Sequence, residues 1–226
     1  MGAGKAGKGV ADAPSPRVLR EYALVADGER GALIGPDGSV AWLCTPRWDS
    51  PAVFSGLLGG AGRYTVTPAD PWHVWGGYYE NGTLIWRSRW VGDWRIECRE
   101  ALAMPADPRR TVLLRRIMAV DGPAKVDVTL DLRADFGRER MTDLARHRNA
   151  KHGDTNHGDI WTGRSGSARF RWSGARRARV VNGQLRMTVE LAEGEEHELD
   201  QRAPLVGPIG HVRLPQVPGH CRSENA

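Results

Sequence analysis

Alternation at a period of two constrains this chain more than any other sequence feature. In Trp94 to Arg99, Trp94, Ile96 and Cys98 alternate with Arg95, Glu97 and Arg99. In Lys125 to Leu132, Val126, Val128, Leu130 and Leu132 alternate with Lys125, Asp127, Thr129 and Asp131. In Leu185 to Leu191, Leu185, Met187, Val189 and Leu191 alternate with Arg186, Thr188 and Glu190. Successive side chains of a strand point to opposite faces, so each segment is a strand with one buried and one wet face. Leu84 to Trp90, Thr111 to Val120 and Ala168 to Trp172 are further strand candidates. The punctuation between strands is hairpin-like: Val91-Gly92-Asp93, Asp121-Gly122-Pro123, Val181-Asn182-Gly183 and Glu193-Gly194-Glu195. No long helical period occurs. The fold class expected is all-β, a large antiparallel β-sandwich.

The most specific stretch is Gly31 to Gly60, GALIGPDGSVAWLCTPRWDSPAVFSGLLGG. Pro36-Asp37-Gly38 reads as a turn between two arms, with Pro presetting φ and Gly supplying positive φ. On the second arm Val40, Trp42 and Cys44 share one face, and Ala41 and Leu43 the other. Both faces are apolar, so burial on both sides is expected. The following elbow, WLCTPRWDSP, carries Trp42, Arg47, Trp48 and Asp49 within ten residues. Arg and Asp can donate to and accept from sugar hydroxyls, and Trp offers a stacking face. The same residues also suit an Arg–Asp pair bracing the bend over a buried Trp.

The remaining boundaries follow from composition. Residues 1–16 are rich in Gly, Ala and Pro and are expected to be a flexible tail. Arg17 to Ala26 is a short helix or an irregular lead-in, with a turn at Asp27-Gly28. A β-domain is expected over 17–199. From about Gly137 to Gly163 the chain is polar and reads as one long irregular segment, holding His147, His152 and His157. After Leu199 the period of two vanishes and four Pro fall between Pro204 and Pro218. Residues 200–226 are therefore expected to be an irregular tail, from a truncation or a reading-frame slip near Asp200.

Composition excludes several function classes. The net charge is +5, but Arg is spread along the chain and no basic run forms, so no nucleic-acid partner is expected. No stretch of 18 apolar residues exists for a membrane span, and the N-terminus lacks the apolar core of a signal peptide. Cys44, Cys98 and Cys221 have no short spacing, giving neither a disulfide framework nor a zinc knuckle. Buried free thiols in a reducing, cytoplasmic compartment are expected. The doubled His-Gly-Asp of His152 to Asp159 could hold a divalent metal, although the glycines between fit a solvated loop better. No metal or cofactor is expected. The acids Asp93, Glu97, Glu100, Asp127, Asp131 and Glu190 read mostly as turn residues or polar strand faces, and no catalytic residue is assigned. Of the nine Trp, most are expected in the core.

The stretch from Gly31 to Gly60 closely resembles the N-terminal, trehalase-like β-domain of glycoside hydrolase family 15, the glucoamylase-like and trehalase-like proteins. The resemblance rests on Asp37-Gly38-Ser39, Trp42-Leu43-Cys44, Pro46-Arg47, Asp49-Ser50-Pro51 and Val53-Phe54. It is supported by Glu21 to Gly28, Leu114-Arg115-Arg116 and Arg133 to Gly137. Ala41 stands where Asp is usual and Trp48 where Phe is usual. The resemblance implies a large antiparallel sandwich, supersandwich-like, that packs on an (α/α)6 barrel. That barrel carries two catalytic Glu and hydrolyses α-glucosidic bonds with inversion. It implies that this chain is a non-catalytic fragment, probing a glucoside at most through the elbow at a shared cleft. The alternatives are a free-standing carbohydrate-binding module, with Trp and elbow binding glucans, and an independent enzyme using its own carboxylates.

Overall fold

The computed structural model describes residues 17–147 and 159–203. Within them the chain is almost entirely antiparallel β-structure. A short 3-10 turn at Leu19–Glu21 leads into β1 (Ala23–Ala26), β2 (Gly31–Ile34), β3 (Val40–Cys44) and β4 (Ala52–Phe54). These four strands form a small sheet in sequence order. Arg17 to Ala26 is thus neither a helix nor irregular throughout; its second half is a strand.

Two larger sheets follow. One has four strands, in the order β14 (Arg179–Val181), β15 (Gln184–Leu191), β10 (Ala124–Asp131) and β5 (Arg63–Pro68). The other has eight, in the order β11 (Met141–His147), β12 (Ile160–Ser165), β13 (Ala168–Ser173), β16 (Glu196–Ala203), β9 (Thr111–Asp121), β8 (Arg95–Leu102), β7 (Trp86–Val91) and β6 (Val74–Tyr79).

The alternating segments fix which faces meet. Val126, Val128 and Leu130 on β10 stand opposite Val189, Met187 and Leu185 on β15. All six are buried. They face Ile96, Cys98, Leu113, Ile117, Trp172 and Leu199 of the eight-stranded sheet in one hydrophobic core. Each fully buried aliphatic side chain of this kind contributes about 1.5–3 kcal/mol. Trp90 and Trp172 are fully buried, and Trp172 Nε1 donates to Tyr64 Oη at 3.1 Å across the two sheets.

Two of the expected hairpins are crossovers. Asp121-Gly122-Pro123 carries the chain from β9 in the eight-stranded sheet to β10 in the four-stranded one. Glu193-Gly194-Glu195 carries it back from β15 to β16. The second turn leans on β9, with Gly194 N donating to Ala119 O at 2.7 Å and Ala119 N to Glu195 O at 3.1 Å. Val91-Gly92-Asp93 and Val181-Asn182-Gly183 do close hairpins, β7–β8 and β14–β15.

The polar segment from Gly137 is not irregular at its ends. β11 and β12 pair there, with a register shift between Thr142 and Ala145. β11 is an outer strand, so its side chains need not alternate in polarity. The strand β6, Val-Trp-Gly-Gly-Tyr-Tyr, had no sequence signal and is the opposite edge of the same sheet. At the C-terminal end, β16 runs on through Asp200 to Ala203.

Several acids expected on polar faces are buried: Glu97, Glu100 and Asp131 are 4%, 0% and 3% exposed. Arg side chains explain this. Glu97 accepts from Arg87 and Arg89, and Asp131 accepts from Arg133. Glu100 pairs with Arg115, which also donates to Gly38 O at 2.6 Å and Tyr64 O at 3.0 Å. Burial pushes the Glu100 carboxyl up, and the Arg115 charge pulls against it. Arg115 thereby ties the hairpin tip at Gly38 to both large sheets. A Cβ on Gly38, at φ 68°, would lie 1.9 Å from Val66 O, so only Gly fits this approach.

Candidate functional site

The expected hairpin is present, with β2 paired to β3. The elbow begins where β3 ends. Thr45–Pro46 is a cis peptide bond. Ser50 N then donates to Arg47 O at 3.1 Å, and Arg47 N to Ser50 Oγ at 3.1 Å, closing a compact bend before β4.

Arg47 and Asp49 meet on the outside of this bend. Arg47 Nε donates to Asp49 Oδ1 at 2.9 Å and Nη2 to Oδ2 at 2.5 Å, a bidentate pair. Their side chains are 66% and 67% exposed. The hydrogen bond from Arg47 holds the Asp49 carboxyl below the usual carboxylate range. The pair braces the bend while leaving its outer edge in solvent.

The base of the elbow is pinned by Arg30, which is fully buried. Arg30 donates to Pro46 O at 2.8 Å, Asp107 O at 2.8 Å and Thr111 Oγ1 at 3.0 Å, and Nε lies 3.1 Å from Asp27 Oδ2. Thr45 Oγ1 and Thr111 Oγ1 are 2.5 Å apart. Sequence reading missed Arg30. Its available signal was the i,i+3 spacing to Asp27 across the Asp27-Gly28 turn.

The two elbow tryptophans share one face of the small sheet. Cross-strand register places Leu24 opposite Leu33 and Leu33 opposite Trp42, so these three form a row. Gly31 lies on the same face, two residues before Leu33. Trp48 covers Gly31: a Cβ there would come 2.5 Å from Trp48 Cη2 and 2.8 Å from Leu24 Cδ1. Trp48 is 52% exposed and Trp42 half-buried.

A further aromatic joins from outside the predicted elbow. Phe136 stacks at 6.3 Å, tilted 42°, on Trp42. Phe136 and its neighbour Asp135 have φ of 52° and 51°. A left-handed conformation costs a non-glycine residue about 1–2 kcal/mol. The result of that strained turn is an exposed Phe set on Trp42. The outer face of the small sheet is therefore Leu24, Leu33, Trp42, Trp48 and Phe136, with the Arg47–Asp49 pair at its rim. It can pack apolar surface or stack a pyranose ring.

Other expectations fall elsewhere. His152 and His157 lie outside the described residues, and Asp159 is held by Arg146. The described residues contain no group of three or more His, Cys, Asp or Glu arranged to hold a metal. Cys44 and Cys98 are buried free thiols, and burial pushes both up. Among the described residues no helix is long and apolar enough to cross a membrane.

The fold and site define an all-β domain whose smallest sheet turns an aromatic face outward. Comparison with known proteins gives its kinship. The family described as "Trehalase-like, N-terminal" matches residues 10–156, and this chain belongs to that family. The trehalase of Mycobacterium tuberculosis (strain ATCC 25618 / H37Rv) is 32% identical over 140 residues, which is 53% of this chain and 20% of the relative. The trehalase of Mycolicibacterium smegmatis (strain ATCC 700084 / mc(2)155) is 31% identical over 144 residues, 55% of this chain and 21% of the relative. The matched region is thus about a fifth of the length of these curated relatives.

Proposed function

We propose that this chain is the non-catalytic N-terminal β-domain of a glycoside hydrolase family 15 protein of trehalase or glucoamylase type. Its aromatic face docks against an (α/α)6 catalytic domain, and the Arg47–Asp49 elbow sits at the rim of the shared cleft, near an α-glucoside. The intact protein hydrolyses α-glucosidic bonds in carbohydrate metabolism, in the cytoplasm, where Cys44 and Cys98 stay reduced.

The observation that carries this reading is the Trp42–Trp48–Phe136 face. Large aromatic side chains held outward on a braced scaffold, one of them by a strained backbone turn, suit an interface that continues beyond this domain. The length of the trehalase relatives supports it. The experiment is to mix the purified chain with a mycobacterial trehalase lacking its matched N-terminal fifth. A complex on size exclusion that is lost in Trp48→Ser supports the reading. No complex, together with retention of the chain on a starch affinity gel, supports the carbohydrate-binding module instead.

A further inference from the structure

A second feature of the surface is independent of the aromatic face and of the family reading. A cleft of about 410 Å³ opens where the hairpin tip at Pro36–Ser39 and the glycine-rich loop before β5 overhang the outer face of the four-stranded sheet. Ser39 bridges to Thr65, which fixes the tip against that sheet. Four arginines line the cleft, Arg17, Arg63, Arg133 and Arg186, with two aspartates, Asp37 and Asp131; Arg17 is itself paired with Glu21 at 3.6 Å.

The carboxylates are already engaged. Asp37 Oδ1 accepts from Ser39 Oγ at 2.6 Å. Asp131, with its side chain 5% exposed, accepts from Arg133 Nε at 3.0 Å and from Gln184 Nε2 at 2.9 Å. This buried carboxylate orients Arg133 by Nε alone. Both terminal nitrogens of Arg133 make no hydrogen bond among the described residues, although its side chain is only 19% exposed. Arg63 stands opposite Asp131 in the register and is half-buried. Its guanidinium makes no hydrogen bond or ion pair among the described residues. Arg186 donates only to the neutral Gln184 Oε1, at 2.9 and 2.5 Å. The cleft therefore presents guanidinium donors in excess of acceptors, with Arg133 and Arg186 held in place by Asp131 and Gln184.

We infer that this cleft is a binding site for a small oxyanion, the phosphate or carboxylate group of a low-molecular-weight metabolite, with Arg63 and the free fork of Arg133 as its contacts. Guanidinium forks match both groups through two parallel hydrogen bonds.

Calorimetric titration of the full chain tests this, with inorganic phosphate and with citrate as probes, each against sodium chloride of matched ionic strength. Saturable single-site binding of phosphate alone assigns a phosphate ligand, and of citrate alone a carboxylate ligand. Arg63→Gln is expected to weaken the bound probe at least tenfold, because it removes a charged two-pronged donor to the oxyanion. Arg186→Gln serves as the second variant should circular dichroism show Arg63→Gln misfolded, and it is expected to weaken binding several-fold. Failure of both probes to bind the folded chain overturns the inference. So does binding that is unchanged in the folded arginine variant.

Discussion

Replacing Arg30 by Met is the sharpest test of how the elbow is held. Arg30 and Asp27 have side chains 0% and 2% exposed, and their closest contact is 3.1 Å. Removing one partner of a buried ion pair leaves the other charge uncompensated, which costs about 3–5 kcal/mol. Pro46 O and Asp107 O also lose their donors. The expected destabilisation is therefore about 3–5 kcal/mol, at least, by urea unfolding. For a domain of this size that corresponds to a fall in Tm of roughly 6–20 °C. Asn at position 27 keeps the Oδ1 acceptor used by Glu29 N and Arg30 N, at 3.0 and 2.9 Å, while removing the charge. The double variant Asp27→Asn/Arg30→Met should thus regain at least ~1 kcal/mol over Arg30→Met, in a double-mutant cycle. A loss below ~1 kcal/mol for Arg30→Met, or strictly additive losses in the cycle, would refute the argument that a buried pair pins the elbow.

Three other outcomes follow from the geometry. Gly31→Ala places a Cβ 2.5 Å from Trp48 Cη2; the ring must lift, costing about 1–3 kcal/mol, and near-ultraviolet circular dichroism should change as Trp48 loses its fixed setting. Glu80 accepts from Arg99 at 2.6 and 2.7 Å and from Arg87 at 2.8 Å, and the Arg99 hydrogen bonds, with lesser help from Arg87, hold its carboxyl below the usual range. A depressed folded-state pKa stabilises the fold above the unfolded value of 4.5, and that contribution is lost as pH falls through the folded value; the Tm gap between wild type and Glu80→Gln should be widest near pH 6 and close toward pH 3. The chain should self-associate at high concentration through its exposed aromatic face, and Trp48→Ser should reduce that association in light scattering; a clean monomer in the unmodified chain would count against an unpartnered face.

Strands with one wet face were legible because burial writes itself into the sequence as alternation; β10 and β15 show this most plainly. β6 and β11 were not, because edge strands are held by pairing to a single neighbour and their composition is free to vary. Turn residues showed where the chain reverses, but the same Gly-containing turns close the β14–β15 hairpin and lead from β15 into another sheet. Which happens depends on where the next strand finds partners, and that information is non-local. The buried acids escaped for the same reason. Glu100 finds Arg115 fifteen residues away and on the adjacent strand, so neither residue announces the pair locally. At the elbow, the sequence located Trp42, Arg47, Trp48 and Asp49. Arg30 and Phe136 reach it from other turns, and only the folded chain brings them to it.

In the proposed function this domain supports catalysis carried by another domain. The most direct test is glucose release from trehalose and from maltose by the purified chain, measured with a coupled oxidase assay at micromolar protein. No release above buffer is expected for either sugar. Release that scales with chain concentration and survives rigorous purification would contradict it, and would return Asp131 and the other acids to consideration as catalytic groups.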